Sequence, residues 1–383
     1  MPTHIKPFSQ ISKKDVAIAG GKGASLGEMT SAFAKASADK AIKIAVPPGF
    51  VVLADAFDRF LEETQLTEEI QARLKEAKMD DTNSVDRASA VIRDTIHDRP
   101  MPADLTEEIL EAFDKLFDSG VGGKKSLRDS STALRSARND KECFVAVRSS
   151  ATAEDSSIAS WAGELETYLN TTRENVVEKV KQCWSSLFTP RAIFYRHEKN
   201  LIDHYVSVAV VVQKMVQSEI SGVAFTVHPV TEDRDQMIIE AGYGLGEAIV
   251  SGQITPDSYV VSKSEMSIMD INIGEQTRKL VKKLSAQGGP ALGGKTKNPK
   301  TKGLPRSLAL PRNDSEESDT ANEWVELGPE GAKQKLTGKQ IIAAAKAFKA
   351  IEDHYGFPCD IEWAMVKDKI YITQSRPITT LKK

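Results

Sequence analysis

DIEWAMVKDKIYITQSRP (360–377) is two strand-like runs around a short charged turn, and its register governs what the chain can do. A three-residue turn at Lys367, Asp368 and Lys369 pairs Val366 with Ile370, Ala364 with Ile372, Glu362 with Gln374, and Asp360 with Arg376. Directly paired residues share a face, with Cβ atoms ~4.5–5.5 Å apart. One face then carries Asp360, Glu362, Gln374 and Arg376. The other carries Ile361, Trp363, Met365, Tyr371 and Thr373. Two oxygen donors opposite each other suit a hard cation such as Mg²⁺, which leans on carboxylates and substrate phosphates. Arg376 is then placed to hold a phosphate. The same face also reads as a solvated surface with a cross-strand ion pair. A one-residue slip would send Glu362 and Gln374 to opposite faces.

Upstream, glycine-rich segments carry the other phosphate signals. GGKGASLGEM (20–29) sets Lys22 inside a glycine turn before a helix. Free N–H groups and the positive end of a helix favour phosphate there. It is not a Walker A loop, because no Ser or Thr follows the lysine. A turn with a solvated lysine is the alternative. VAVRSSATAEDSSIASWAG (145–163) runs a strand into Arg148 and then a loop of small and hydroxyl residues. Such a loop donates hydrogen bonds over a ligand, or is an ordinary turn capped by Asp155 or Ser156. AGYGLGEAIVSGQITPDSY (241–259) fails the dinucleotide pattern, since Glu247 stands where the third glycine belongs. VVVQKMV (210–216), an apolar strand interrupted by Gln213 and Lys214, fits an adenine slot or a plain strand end.

Around these motifs, residues 55–118 read as helix, with Asp104 and Glu107 marking one helix start. Thr171 and Glu174 form a capping-box pattern for a helix through Phe188. Pro190 is expected to end or kink it. A β-rich half begins at 206, a helix is expected at 339–354, and strands at 360–366 and 370–376 close the chain. Segments 35–41, 119–141 and 288–320 read as loops. The expected fold is α+β, with lobes 1–205 and 206–383 around a cleft.

The 383 residues exceed a typical domain two- to threefold by the length prior. Lys plus Arg is 51 and Asp plus Glu is 54, a net charge of −3. That gives no bulk drive toward nucleic acid or an anionic membrane. No apolar run nears the ~20 residues that span a bilayer, and MPTHIKPFSQ lacks a signal core, so a cytoplasmic protein is expected. Cys143, Cys183 and Cys359 are far apart and read as reduced thiols. The six histidines share no ligand spacing, and no nucleophile elbow occurs.

Together, GGKGASLGEM, FVAVRSSATAEDSSIASWAGELETYLN, SGVAFTVHP, GYGLGEAIVSGQITPDSYVV and DIEWAMVKDKIYITQSRP resemble the N-terminal nucleotide-binding region of phosphoenolpyruvate synthase (pyruvate, water dikinase). The resemblance covers nearly the whole chain, in order. Pyruvate, phosphate dikinase is more distantly similar, and rifampicin phosphotransferase shares the same motifs. The resemblance implies a two-lobed ATP-grasp fold binding ATP and Mg²⁺. It implies phosphate contacts at Lys22, Arg148 and Arg376, and approach of Gly163 and Thr167 to the phosphate tail. It implies metal ligation by Glu362 and Gln374, and an adenine segment from Gln213 through Met215 and Val216.

Family chemistry implies transfer of phosphate from ATP to a histidine on a swivelling carrier domain, then to pyruvate in a barrel domain. The carrier's G-G-x-x-S-H-type motif is not in these 383 residues, and the barrel is expected to lie outside them. The expectation is a partial dikinase: a fragment, a split-gene subunit or a stand-alone module. The alternatives are the ATP domain of an antibiotic phosphotransferase and a non-catalytic nucleotide binder.

Overall fold

The computed structural model describes residues 3–36, 44–118, 143–152, 166–199, 206–283, 321–379 and 381. The loops expected at 119–141 and 288–320 lie outside these residues, as does most of 35–41. The fold mixes helix and sheet, as expected.

Five strands form the first sheet: β1 (Ile5–Pro7), β2 (Gly49–Val52), β3 (Val145–Ala151), β4 (Thr167–Thr171) and β5 (Val208–Lys214). Their order is β1-β2-β5-β3-β4. The β5 strand, counted with the second half from sequence, is therefore the central strand of the first sheet. Its near-continuous valines explain this: Val208, Val210 and Val212 face one core and Ala209 and Val211 another, so both faces are buried.

Helices supply the first of those cores. They are α2 (Ala54–Glu63), α3 (Thr67–Glu76), α4 (Thr82–Asp98), α5 (Ala103–Asp118), α6 (Val176–Ser185) and α7 (Pro190–Glu198). Phe57, Phe60, Ile92, Ile96, Ile109, Phe113 and Trp184 meet the sheet there. Two sequence expectations are corrected. The Thr171–Glu174 capping box does not form, because Thr171 is the last residue of β4 and Asn175 is the residue before α6. Pro190 does not end a helix but opens α7, where its missing N–H costs nothing, and Thr189 caps it.

The second sheet has β6 (Ile220–Phe225), β7 (Gln236–Tyr243), β8 (Asp257–Ser262), β9 (Ser267–Asn272), β12 (Cys359–Val366) and β13 (Lys369–Pro377). Its order is β13-β12-β6-β7-β8-β9, antiparallel throughout. Helix α9 (Gly338–Tyr355) covers one face. Ile341, Ala344, Phe348 and Ile351 pack there with Ile361, Trp363, Met237, Ile239 and Tyr259. A capping box between Thr337 and Gln340 starts α9, and Gly356 at φ 76° ends it. Gly222 on β6 makes room for Trp363, whose ring would lie 2.6 Å from a Cβ there. Helix α1 (Val16–Ala36) joins the two sheets, its Ala19, Leu26 and Met29 sharing one core with Val51, Val211 and the α9 layer.

A smaller ribbon pairs β10 (Arg278–Lys282) with β11 (Asn322–Glu326). Beside it, Lys335 and Asp257 form a fully buried ion pair at 2.9 Å. Asp257 also accepts from the Tyr259 hydroxyl and from the backbone N–H of Gly274 and Lys335.

Candidate nucleotide-phosphate site

The α1 helix breaks at Gly20, whose φ of 68° suits glycine alone at low cost. A Cβ there would lie 2.2 Å from Ser150 Oγ. That hydroxyl spans the break. It donates to the Ala19 carbonyl at 2.9 Å and accepts from the Gly23 N–H at 3.2 Å. Lys22 thus sits in the first turn of the second helical segment, on a turn fixed by β3. The expected glycine break before a helix is present at Gly20, but Lys22 lies within the helix and not inside the turn.

Two residues earlier on β3, Arg148 lies on the same strand face as Ser150 and reaches the second sheet. Its Nη2 pairs with Glu362, and its Nη1 donates to the Thr373 carbonyl at 3.1 Å. Its Nε is buried and makes no hydrogen bond among the described residues.

On the second sheet, the pairs Glu362–Gln374 and Asp360–Arg376 are present. The route to them differs from the sequence expectation. The turn has two residues, Lys367 and Asp368, with φ of 48° and 61°. Val366 therefore pairs with Lys369, Ala364 with Tyr371 and Trp363 with Ile372, correcting the Val366–Ile370 and Ala364–Ile372 pairs. A bulge between Glu362 and Trp363 then takes up Thr373 as an extra residue and restores the pairing beyond it.

Gln374 is 4 % exposed, and its Oε1 is buried without a hydrogen-bond partner among the described residues. An orphaned amide oxygen opposite a carboxylate is a hard-oxygen pair, and it fits Mg²⁺. No group of three or more His, Cys, Asp or Glu suited to a metal occurs among the described residues. Burial raises the Glu362 pKa, but Arg148, then Arg376 and Lys22, outweigh it and hold the group below the ordinary glutamate value. Asp360 differs: burial pushes it up, and Arg376, donating at 2.9 and 2.7 Å, offsets only part.

The remaining sequence candidates scatter around this junction. Thr167 pairs with Arg148 across β3 and β4 and is exposed. Gln213 is buried and donates to the Pro47 carbonyl at 3.3 Å. Met215 packs with Leu245, Ala248 and Leu280. The Val216 carbonyl accepts from the Ser218 N–H at 3.0 Å. Gly163 lies outside the described residues.

The sequence reading passed over Glu240 and took Glu247 only as a break in the dinucleotide pattern. Glu240 on β7 pairs with Val223, which pairs with Glu362, so one row of the sheet reads Gln374, Glu362, Val223, Glu240. Glu247 opens the short helix α8 (Glu247–Val250) and feels the charge of Arg148. Burial raises both, with Asp360 adding to the rise at Glu240 and Arg148 opposing it at Glu247. The signal for Glu240 was a single carboxylate in the apolar run MIIEA; for Glu247 it was its place inside GYGLGE.

Arg148 on the first sheet meets Glu362 and Gln374 on the second, a cation beside hard oxygen donors in a fold of mixed helix and sheet. The chain belongs to the pyruvate phosphate dikinase AMP/ATP-binding domain family, whose model matches residues 16–383. It is 43 % identical over 378 residues to a probable phosphoenolpyruvate synthase of Archaeoglobus fulgidus, covering 98 % of this chain and 42 % of that protein. It is 42 % identical to the probable phosphoenolpyruvate synthase of Methanocaldococcus jannaschii, covering 98 % of this chain and 27 % of that one. With the phosphoenolpyruvate synthase of Pyrococcus furiosus it shares 38 % over 414 residues, 99 % of this chain and 44 % of the relative. The chain thus spans less than half the length of these relatives. Among the described residues, no helix is long and apolar enough to cross a membrane.

Proposed function

We propose that this chain is the ATP-binding, phosphoryl-transferring part of a phosphoenolpyruvate synthase-like dikinase, working in the cytoplasm with an ATP-grasp arrangement of two lobes. It takes ATP with Mg²⁺ between the sheets and passes phosphate to a histidine on a carrier domain. The carrier serves pyruvate in a barrel domain, in a longer chain or a separate subunit. The observation that carries this reading is the Arg148–Glu362–Gln374 junction. There, a buried guanidinium Nε and a buried amide oxygen both want partners, and both suit a metal–phosphate ligand.

In this reading Lys22, Arg148 and Arg376 hold and neutralise the phosphate tail, each at a different point. Lys22 does so as a mobile point charge on a helix start, and the arginines as planar forks. Glu362 and Gln374 hold Mg²⁺, which when bound supplies positive charge to the phosphate oxygens. Gly163 and Thr167 approach the tail, and Gln213, Met215 and Val216 lie along the adenine. The protein contributes positioning and charge rather than an acid–base pair. Phosphate entering the junction competes with Glu362 for Arg148 and frees the carboxylate for the metal.

Calorimetric titration tests the assignment. The chain binds Mg-ATP, and Lys22→Ala and Arg148→Ala each abolish the heat. Unaltered affinity in both variants would overturn it.

A further inference from the structure

The hairpin joining β12 and β13 contains a correction built into its own geometry. Counting back from Val366 opposite Lys369, an uninterrupted ladder would set Thr373, not Gln374, against Glu362. The bulge removes Thr373 from the pairing. A bulged residue leaves the ladder locally broken and re-aims its neighbours. Here the carbonyl of that same residue accepts from Arg148 Nη1 at 3.1 Å. The other amino group of Arg148 pairs with Glu362 on the adjacent strand. A guanidinium is planar, so two anchors on two strands fix both its position and its plane. The third donor, Nε, is left buried and without a partner among the described residues.

We propose that the β-bulge at Thr373 is a positioning device for Arg148: its main-chain carbonyl, not its side chain, orients the guanidinium toward a bound phosphate. This rests on the reading of the junction as an ATP site. Thr373 acts through Arg148 and is a positioning residue, not a catalytic one. The bulge does two jobs at once. It brings Gln374 opposite Glu362, and it supplies the acceptor that presets Arg148 before ligand arrives. Any side chain at 373 serves, provided the extra residue is there.

The test is deletion of Thr373 beside Thr373→Ala. Deletion gives a regular ladder that still pairs Glu362 with the glutamine but lacks the bulged carbonyl. Thr373→Ala is expected to bind Mg-ATP within about twofold of the parent. The deletion variant is expected to lose roughly tenfold in Mg-ATP affinity, about 1.4 kcal/mol, while its adenosine affinity and melting temperature stay near the parent's. Parent-like Mg-ATP affinity after deletion overturns the proposal, provided Arg148→Ala binds weakly. If Arg148→Ala also binds like the parent, the ATP-site reading itself fails. Should deletion prevent folding, NMR of the unaltered chain decides. Separately resolved Nη protons of Arg148, kept in Thr373→Ala, support a doubly anchored guanidinium; averaged Nη signals overturn it.

Discussion

Glu362 faces Gln374 across β12 and β13 although the turn between their strands is one residue shorter than a regular ladder to that pair requires. The neighbouring Asp360 faces Arg376 and is held by it at 2.9 and 2.7 Å. The two carboxylates are therefore not equivalent. Glu362 has an orphaned oxygen donor across from it, whereas Asp360 has a cation.

That difference ranks two variants. Glu362→Ala should weaken metal-dependent ATP binding by roughly tenfold more than Asp360→Ala, a gap of about 1.4 kcal/mol. Titrations with and without Mg²⁺ measure it. The reverse ranking would move the metal contact to the Asp360 end of the hairpin.

Stability should fall in acid partly through Glu362. Its folded pKa lies below 4.5, chiefly because the Arg148 charge outweighs the cost of burial. A depressed carboxyl contributes stability above its unfolded pKa and loses it as pH falls through the folded value. Urea unfolding between pH 6 and pH 3 should show a shallower acid loss in Glu362→Gln than in the parent. Parallel curves would mean that Glu362 has the same pKa folded and unfolded.

How much of this was legible in the sequence depends on what each feature needs. The strands of the hairpin and helix α9 followed from local periodicity, whereas the Glu362–Gln374 and Asp360–Arg376 pairs came from a supposed three-residue turn whose extra residue stands in for the bulge. The bulge was not legible, because a period-2 pattern carries no mark for one extra residue, and a longer turn gives the same far pairs. Ribbon strands β10 and β11 went unread because each is short and its partner lies far along the chain. Glu240 gains meaning only from its row across four strands, which no single segment displays. The Thr171–Glu174 pattern misled because β4 takes Thr171 into a sheet, a tertiary choice that overrides a capping preference.

The buried pair Lys335–Asp257 offers a stability test remote from the site. Lys335→Met leaves a fully buried carboxylate without its cation, and breaking such a pair costs about 3–5 kcal/mol. Chemical denaturation should show that loss. A change near zero would mean that Gly274, Tyr259 and the Lys335 N–H satisfy Asp257 unaided.

The hairpin turn is open to improvement. Lys367 holds φ at 48°, a left-handed conformation that costs an L-residue about 1–2 kcal/mol. Lys367→Gly should therefore raise stability by about 1 kcal/mol and leave Mg-ATP affinity unchanged. Lower stability would show that the lysine side chain matters more to the turn than its backbone strain.

The Ser150 hydroxyl that spans the break in α1 reaches it from 131 residues along the chain. Contacts between such distant segments must wait for the chain entropy of closing a long loop to be overcome. The turn that presents Lys22 therefore cannot be finished by the first fifty residues alone, however helical they become. It is completed when β3 arrives, the same event that delivers Arg148. Phosphate affinity should accordingly be absent from every partly folded species and appear in a single late step. Refolding followed by ATP binding alongside helix content would show helix first and binding last.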